Sequence, residues 1–197
     1  MRLLFVVLLL LQTSTPIPVE QEPRHKIVYA DARMRVLDVS IPPGDTTLEH
    51  MHYHDLATVC LECAPTRSKP QAGEFGDVRS RAVATSQATE YTAKPSAHTV
   101  VNLSKTEKYH LLAVENLNIG GSPGGAARGL KPTSETAAFR FYEYSLQPGE
   151  MAPPHTHAAP AVSITVESRT WKVVPTGQPH TVIGASAPTR IVEIEVK

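Results

Sequence analysis

The sequence predicts an all-β protein built from two related halves. Proline accounts for 17 of the 197 residues, about twice its usual share of roughly 5%, and it interrupts helices wherever it falls in their interior. No window has a sustained helical period, whereas short apolar runs bounded by Pro-Gly, Pro-Pro and Gly-Gln-Pro turns recur along the chain. Short strands separated by such turns are typical of a β-sandwich or β-barrel.

An internal repeat supports the division into halves. Arg35 to Gly44 align without a gap on Arg140 to Gly149, a shift of 105 residues. Self-similarity of this kind indicates a duplicated structural unit. The same register pairs four histidines, His50 with His155 and His52 with His157.

A second stretch repeats at a different shift, so the loops between the repeated segments differ in length. His98-Thr-Val-Val101 corresponds to His180-Thr-Val-Ile183. Between the two copies lies the run Gly-Gly-Ser-Pro-Gly-Gly, which favours a flexible connection. The sequence therefore predicts an N-terminal half over residues 27–117, a Gly-rich linker over 118–131 and a C-terminal half over 132–197.

The N-terminal segment has the layout of a secretory signal peptide. Met1-Arg2 is followed by the apolar run Leu3 to Leu11 and then by the small and polar residues Gln12 to Pro16. The apolar run is shorter than the roughly 20 residues of a membrane-spanning helix. We expect residues 1–20 to direct export to the periplasm or the cell exterior, with no stable membrane insertion after their removal. A buried N-terminal element and a short membrane anchor are the alternatives.

The charge balance excludes one class of partner. The chain carries 19 basic and 19 acidic residues, whereas a nucleic-acid-binding protein presents a basic surface to phosphates. We therefore expect no nucleic-acid partner. A protein with no net charge needs covered sheet edges to stay soluble, which favours a homodimer.

The two cysteines, Cys60 and Cys63, form a single Cys-x-x-Cys motif. No second pair completes a zinc cluster. The surrounding run, Ala57 to Leu61, indicates a strand, on which residues three apart point to opposite faces. We therefore expect two small buried residues, and a disulfide only if the chain turns near Glu62.

The histidines fall into two sets with the spacing of metal ligands. Residues i and i+2 on a strand project to the same face, so both imidazoles of a His-x-His pair reach one ion. A third imidazole from a later strand completes a three-nitrogen face with open positions, which suits a divalent transition metal. The predicted ligands are His50, His52 and His98 in the first half, and His155, His157 and His180 in the second.

The same residues resemble the two signature motifs of the cupin superfamily. Gly149, His155-x-His157 and Pro175-x-Gly177-x-x-His180 follow the family spacing in the second half. Gly44 and His50-x-His52 match the first motif in the first half, and His98-x3-Asn102 gives a shortened second motif. The resemblance implies a duplicated cupin-like double-stranded β-helix, a jelly-roll barrel. It also implies Fe, Zn, Mn, Ni or Cu at the histidines and a small-molecule ligand in the barrel.

One family residue is missing from both halves. The glutamate of the first motif would fall at Leu56 or Ala57, and at Ala161 or Val162 in the second half. His54 shares the parity of the first-half histidines and is a candidate substitute, and Glu167 is the best candidate for a general base. Two hypotheses remain open. One is a metal-dependent, dioxygenase-like oxidoreductase, and the other is a non-catalytic binding or structural module.

The remaining histidines and aromatic residues are assigned no chemical role. We expect His25 and His110 to be solvated or packing residues. Tyr142, Tyr144 and Trp171 are predicted to lie in the core or at its rim rather than to form a cofactor platform.

Overall fold

The computed structural model describes residues 15–118 and 129–197, which form two β-sheet halves. Their strands assemble into three sheets. The prediction of a duplicated all-β fold is confirmed. Most of the predicted signal segment and of the Gly-rich linker, residues 1–14 and 119–128, lies outside the described residues.

The N-terminal half is a sandwich of a four-stranded and a five-stranded sheet. The first has the order β1-β4-β8-β6 and the second the order β2-β3-β9-β5-β7. A short 3-10 helix spans Val19–Gln21. The strands are β1 (Ile17–Pro18), β2 (His25–Ala30), β3 (Met34–Ile41), β4 (His50–His52), β5 (Asp55–Cys63), β6 (Thr66–Pro70), β7 (Ser86–Thr89), β8 (Ser96–Asn102) and β9 (Tyr109–Asn116).

The C-terminal half has one five-stranded sheet with the order β10-β11-β14-β12-β13. Its opposite layer is reduced to two isolated bridges, Met151 with Ile183 and His155 with His180. The strands are β10 (Ser134–Glu135), β11 (Phe139–Leu146), β12 (Ala161–Thr165), β13 (Thr170–Val174) and β14 (Thr189–Val196).

The two five-stranded sheets pack against each other through a shared apolar core. Alternate residues of a strand point to opposite faces, so Met34 and Val36 of β3 enter this core while Leu37 and Val39 face the interior of the N-terminal sandwich. Each fully buried aliphatic side chain contributes roughly 1.5–3 kcal/mol. The shared core draws on both halves: Met34, Val36, Ala57, Val59, Leu61, Leu112, Val114, Ala138, Phe139, Phe141, Val162, Ile164, Val166, Val192, Ile194 and Val196.

The folded N-terminal half begins earlier than the predicted boundary at residue 27. Ile17 and Pro18 pair in parallel with His50 and Met51, and Val19 is only 2% exposed within the interior cluster of this half. The expectation that the first 20 residues lie outside the fold is therefore wrong for residues 17–20. The apolar side chain of Val19 fills the sandwich interior, which explains why this segment is ordered.

Cys60 and Cys63 are joined by a disulfide, with their Cα atoms 5.9 Å apart. The pairing of β5 with β9 is irregular between Cys60 and Glu62. A β-bulge there inserts an extra residue and breaks the regular alternation of side chains. The expectation of two unlinked cysteines is wrong, because this bulge within β5, rather than a turn of the chain, lets Cys60 and Cys63 meet.

Within residues 15–118 and 129–197, no helix has the length and apolar character needed to cross a bilayer.

Candidate metal centres

The C-terminal centre brings three predicted histidines together with one glutamate. His155 and His157 precede β12, and a reciprocal pair of backbone hydrogen bonds, each 3.0 Å long, joins His155 to His180. Glu193 reaches the same point from the middle of β14. One potential ligand atom of each residue lies within 4.8 Å of the others, so the set could hold a metal ion.

Glu193 occupies the centre of this cluster. Its Oε2 lies 2.9 Å from His155 Nε2 and 3.3 Å from His157 Nε2, and its Oε1 lies 3.0 Å from His180 Nε2. The Tyr144 hydroxyl donates to Oε2 at 3.3 Å. Burial alone would raise the pKa of Glu193, but the three imidazoles outweigh burial and lower the pKa. The carboxylate therefore lies within contact distance of all three imidazoles.

A second layer of contacts fixes the imidazole rings. His155 Nδ1 contacts the Pro153 carbonyl at 3.0 Å, and His157 Nδ1 contacts Glu195 Oε2 at 3.1 Å. Burial tends to lower the pKa of His157, yet Glu193 and Glu195 raise it to about 9. Glu195 also accepts hydrogen bonds from the Tyr142 hydroxyl at 3.0 Å and from Arg140 at 2.7 Å. Partners of this kind set the orientation of metal-binding histidines.

The N-terminal centre contains the other three predicted histidines. His50 and His52 lie on β4, opposite His98 and Ser96 of β8. Nδ1 of His50 donates to the Leu48 carbonyl at 2.8 Å, which leaves the lone pair of Nε2 free for a ligand. The three rings lie with their centroids 4.6 to 5.0 Å apart, and their potential ligand atoms lie within 4.8 Å of one another.

These histidines are neutral and short of hydrogen-bond partners. Nε2 of His50 and both ring nitrogens of His52 are buried without a partner among the described residues. Burial first, and then the proximity of other titratable histidines, lower the pKa of His50 to about 4, of His98 to about 3 and of His52 to about 2. Buried polar atoms are rarely left unpaired, and neutral imidazole is the form that coordinates metal. The residues present therefore fit a divalent transition metal.

His25 belongs to the surroundings of the N-terminal centre. Its ring centroid lies 4.6 Å from that of His50, its Nδ1 lies 2.6 Å from Glu22 Oε2, and the residue is 9% exposed. Of the two roles expected for His25, solvated or packing, the structure shows packing: the residue lies against the triad and is not among its potential ligands. His110 instead contacts Asp38 at 2.8 Å and belongs to neither centre.

A cavity of about 190 Å³ adjoins the N-terminal centre. Its lining combines apolar side chains with hydroxyl, amide, imidazole and guanidinium groups. The ring of Tyr91 stacks on His52 with centroids 4.5 Å apart. The lining consists of His25, Leu37, Val39, Ile41, His52, Leu56, Thr58, Thr66, Ser68, Arg79, Arg81, Gln87, Thr89, Tyr91, His98, Val100, Tyr109, Leu111 and Ala113.

The strand register explains why the two interiors differ. Glu193 pairs with Tyr142 on β11, and Ala113 pairs with Leu37 on β3. Leu37 and Tyr142 are equivalent in the 105-residue repeat, so Ala113 stands at the N-terminal position that corresponds to Glu193. A methyl group replaces the central carboxylate, and this exchange leaves space beside the N-terminal triad.

The architecture matches solved structures across most of the chain. YhhW from Escherichia coli matches with a TM-score of 0.57 and 15% identity, over 89% of each chain. A cupin 2 conserved barrel domain protein from Leptotrichia buccalis matches with a TM-score of 0.54 and 10% identity, over 87% of this chain and 88% of that chain. The protein has the cupin fold.

Two further comparisons bear on the cupin assignment. An oxalate decarboxylase matches with a TM-score of 0.54 and 11% identity, over 84% of this chain and 69% of that chain. No family model and no curated protein matches the sequence. At these identities the likeness is one of fold, so the chemistry must be argued from the residues themselves.

The structure places Glu167 and His54, the two accessory residues predicted from the sequence, outside both candidate centres. Glu167 binds Arg190 at 2.7 Å, and its side chain is 38% exposed. The expectation that Glu167 shares the face of the ligands is wrong, because β12 ends at Thr165 and Glu167 lies in the following turn. His54 is not part of the N-terminal group either. Neither residue supplies the missing fourth ligand.

Glu193 and the two tyrosines are the site residues that sequence reasoning missed. Tyr142 and Tyr144 were expected only to pack, yet both hydroxyls bind the carboxylates of the C-terminal cupin interior. The available signal was the alternation Arg-Ile-Val-Glu-Ile-Glu-Val of β14, which places Glu193 and Glu195 on the face opposite to the apolar residues. Acidic residues at alternate positions of an otherwise apolar strand indicate an interior that contains buried charge.

Proposed function

We propose that this protein is an exported metal-dependent cupin whose reactive centre is the N-terminal half. His50, His52 and His98 would hold one divalent transition metal, Fe, Zn, Mn, Ni or Cu, and the adjoining cavity would take a small organic ligand. The observation that carries this proposal is the set of buried, unpartnered imidazole nitrogens beside a cavity. Open coordination positions distinguish catalytic metal sites from structural ones.

The reaction class that fits this arrangement is a metal-dependent, dioxygenase-like oxidation of the ligand. When bound, the metal supplies a Lewis-acidic or redox-active centre with free positions. The Leu48 carbonyl orients His50, and Tyr91 supports the ring of His52. Because Glu22 accepts a hydrogen bond from His25 Nδ1, Nε2 of His25 carries the basic lone pair. His25 lines the cavity and is therefore the candidate for accepting a proton from the ligand.

The C-terminal centre has the character of a closed site. Three histidines and Glu193 form a four-ligand set of the kind that encloses a structural ion. Tyr142 and Tyr144 fill the adjoining interior, where the N-terminal half has Leu37 and Val39. We propose that this centre stabilises the fold and takes no part in turnover.

Export is supported by two independent features. The apolar N-terminal run followed by small and polar residues has the layout of a signal peptide. The Cys60–Cys63 disulfide is of a kind that persists in oxidising compartments. Intact-mass analysis of protein recovered from an expressing cell's periplasm or medium tests export, because removal of the leader shortens the chain by a measurable mass.

The alternative function is a non-catalytic binding or structural module. It is favoured by Glu193, whose carboxylate is hydrogen-bonded to His155 and His180 and lies 3.3 Å from His157 Nε2. Under this alternative the C-terminal centre is a hydrogen-bonded polar core, and the N-terminal cavity binds a ligand without transforming it. The homodimer remains a prediction under both functions.

Metal analysis separates the two functions. Protein purified without added metal, and then reconstituted, is compared with His52→Ala, His157→Ala and the control His110→Ala. We expect His52→Ala to lose the N-terminal ion, His157→Ala to lose any C-terminal ion, and His110→Ala to retain the wild-type stoichiometry. Absence of stoichiometric metal in the reconstituted wild-type protein would refute the metal-dependent function.

A further inference from the structure

The lining of the N-terminal cavity carries positively charged side chains and no negatively charged ones. Arg79 and Arg81 line it, and among its described lining residues none is acidic. Neither arginine makes an ion pair with a carboxylate in the described parts of the chain, although many surface arginines elsewhere in the fold do. A guanidinium is protonated at every accessible pH, so the cavity carries positive charge that nothing in the described protein neutralises.

Arg81 is held in place by neutral groups only. Its Nη1 donates to Thr58 Oγ1 at 3.1 Å, and its Nη2 donates to the Thr85 carbonyl at 2.8 Å. Its Nε is buried and has no partner among the described residues. Arg81 is partly buried, and a carboxylate is the partner that a guanidinium fork binds best. The guanidinium of Arg81, which lines the cavity without a carboxylate partner in the described protein, is therefore a place for an anionic group.

The cavity lining also includes a group of buried apolar side chains. Leu37, Val39, Ile41 and Leu111 are each less than 9% exposed and line the cavity. The cavity volume of about 190 Å³ is somewhat larger than the roughly 150 Å³ of an engineered apolar cavity that binds benzene. A ligand that fits both the apolar residues and the arginines has about the size of a substituted benzene ring, with one apolar and one anionic end.

We propose that the N-terminal cavity binds a small monocarboxylate with an apolar body, whose carboxylate pairs with Arg81 and Arg79. The inference rests on the proposed function only in placing this ligand beside the His50, His52 and His98 triad. The arginines then serve as specificity-determining residues, and the apolar wall holds the body of the ligand away from water.

Titration calorimetry with three probes tests the proposal. Benzoate has the charge and the ring, benzamide has the same shape without the charge, and acetate has the charge without the ring. We expect saturable binding of benzoate to the full chain, with benzamide and acetate each weaker by about tenfold or more, since a hydrogen-bonded pair with a charged group contributes about 1.5–3 kcal/mol. Equal affinity for benzoate and benzamide, or no binding of benzoate, would overturn the proposal.

Arginine variants locate the anion within the cavity. Arg81→Gln and Arg79→Gln are expected to weaken benzoate binding by about tenfold for Arg81 and less for the exposed Arg79. Arg67→Gln is the matched control, because Arg67 is exposed on β6 and does not line the cavity. If Arg81→Gln disturbs folding, Arg81→Lys keeps the charge and should bind benzoate more tightly than benzamide. Unchanged benzoate affinity in folded Arg81→Gln contradicts the assignment.

Metal content measured on the same samples keeps this inference separate from the proposed function. Benzoate binding by protein that takes up no metal supports the anion cavity while refuting the metal-dependent function. Stoichiometric metal without benzoate binding refutes the anion cavity and leaves the metal-dependent function standing.

Discussion

Replacing Glu193 by Gln removes the charge at the centre of the C-terminal cluster while preserving the shape of the side chain. Glu193 and Glu195 together raise the pKa of the buried His157 from 6.5 to about 9. Because one pKa unit corresponds to about 1.4 kcal/mol, this shift contributes about 3 kcal/mol near pH 7. The contribution is fully present below pH 6.5 and is lost as pH rises through 9. Removing one member of a buried ion pair costs a similar amount, about 3–5 kcal/mol.

Because Glu195 still acts on His157 in the variant, we expect Glu193→Gln to lower the free energy of unfolding of metal-free protein by up to about 3 kcal/mol at pH 7. For a chain of this length that corresponds to a decrease in Tm of roughly 6–12 °C. Guanidinium denaturation followed by circular dichroism, in the presence of a chelator, measures the difference.

Glu167→Gln is the matched control. Glu167 pairs with Arg190 at the surface, and an exposed pair of this kind contributes less than about 1 kcal/mol. The destabilisation by Glu193→Gln should also shrink between pH 7 and pH 10, as His157 loses its proton in the wild-type protein. Equal stability of Glu193→Gln and wild type at pH 7 would refute the view that this carboxylate holds the cluster together.

Three further perturbations address other parts of the molecule. Ala113→Glu places a carboxylate at the position equivalent to Glu193. We expect calorimetry to detect loss of benzoate binding, while the metal stoichiometry is retained. Unchanged benzoate affinity would contradict the equivalence of the two positions. Phe139→Ala removes a side chain that is 0% exposed in the shared core. We expect the free energy of unfolding, measured with denaturant, to fall by about 3–5 kcal/mol and unfolding to remain a single transition. Two separate transitions would show that the halves unfold independently. Burial tends to raise the pKa of Glu22, but hydrogen bonds from His25 and from backbone amides lower it to about 2. This group therefore contributes stability above pH 4.5 that is lost as pH falls through 2. Between pH 6 and pH 2.5 the free energy of unfolding of the wild type should fall by up to about 3 kcal/mol more than that of Glu22→Gln. An equal decrease in the two proteins would contradict this role of Glu22.

The histidine spacing and the turn patterns were enough to predict most of the fold and both histidine triads from the sequence. The His-x-His pairs could be placed on one strand face because alternation is a local property of an extended chain. Pairing His50 with His98, or His155 with His180, required only that the repeated segments share one topology. These features are repeated in the sequence, so each copy supported the interpretation of the other.

The fourth ligand could not be located in the same way. Glu193 reaches the C-terminal histidines only through the register of β14 with β11 and β12, and register between distant strands is not readable from residue spacing. The two halves also differ at this position, so the repeat offered no second copy of the signal. The Cys60–Cys63 bond depended on a bulge, and the place of His25 depended on the fold of the segment before β2.

The alternation of side chains along each central strand separates the residues of the shared core from those that line the interior of one half. On β14 the even-numbered residues Val192, Ile194 and Val196 belong to the shared core, whereas Glu193 and Glu195 face the C-terminal interior. Substitutions on the interior face can therefore alter the chemistry of one half without disturbing its attachment to the other. The two halves thus carry two interiors that can be altered separately while the shared core stays the same, and the difference between Ala113 and Glu193 is one example.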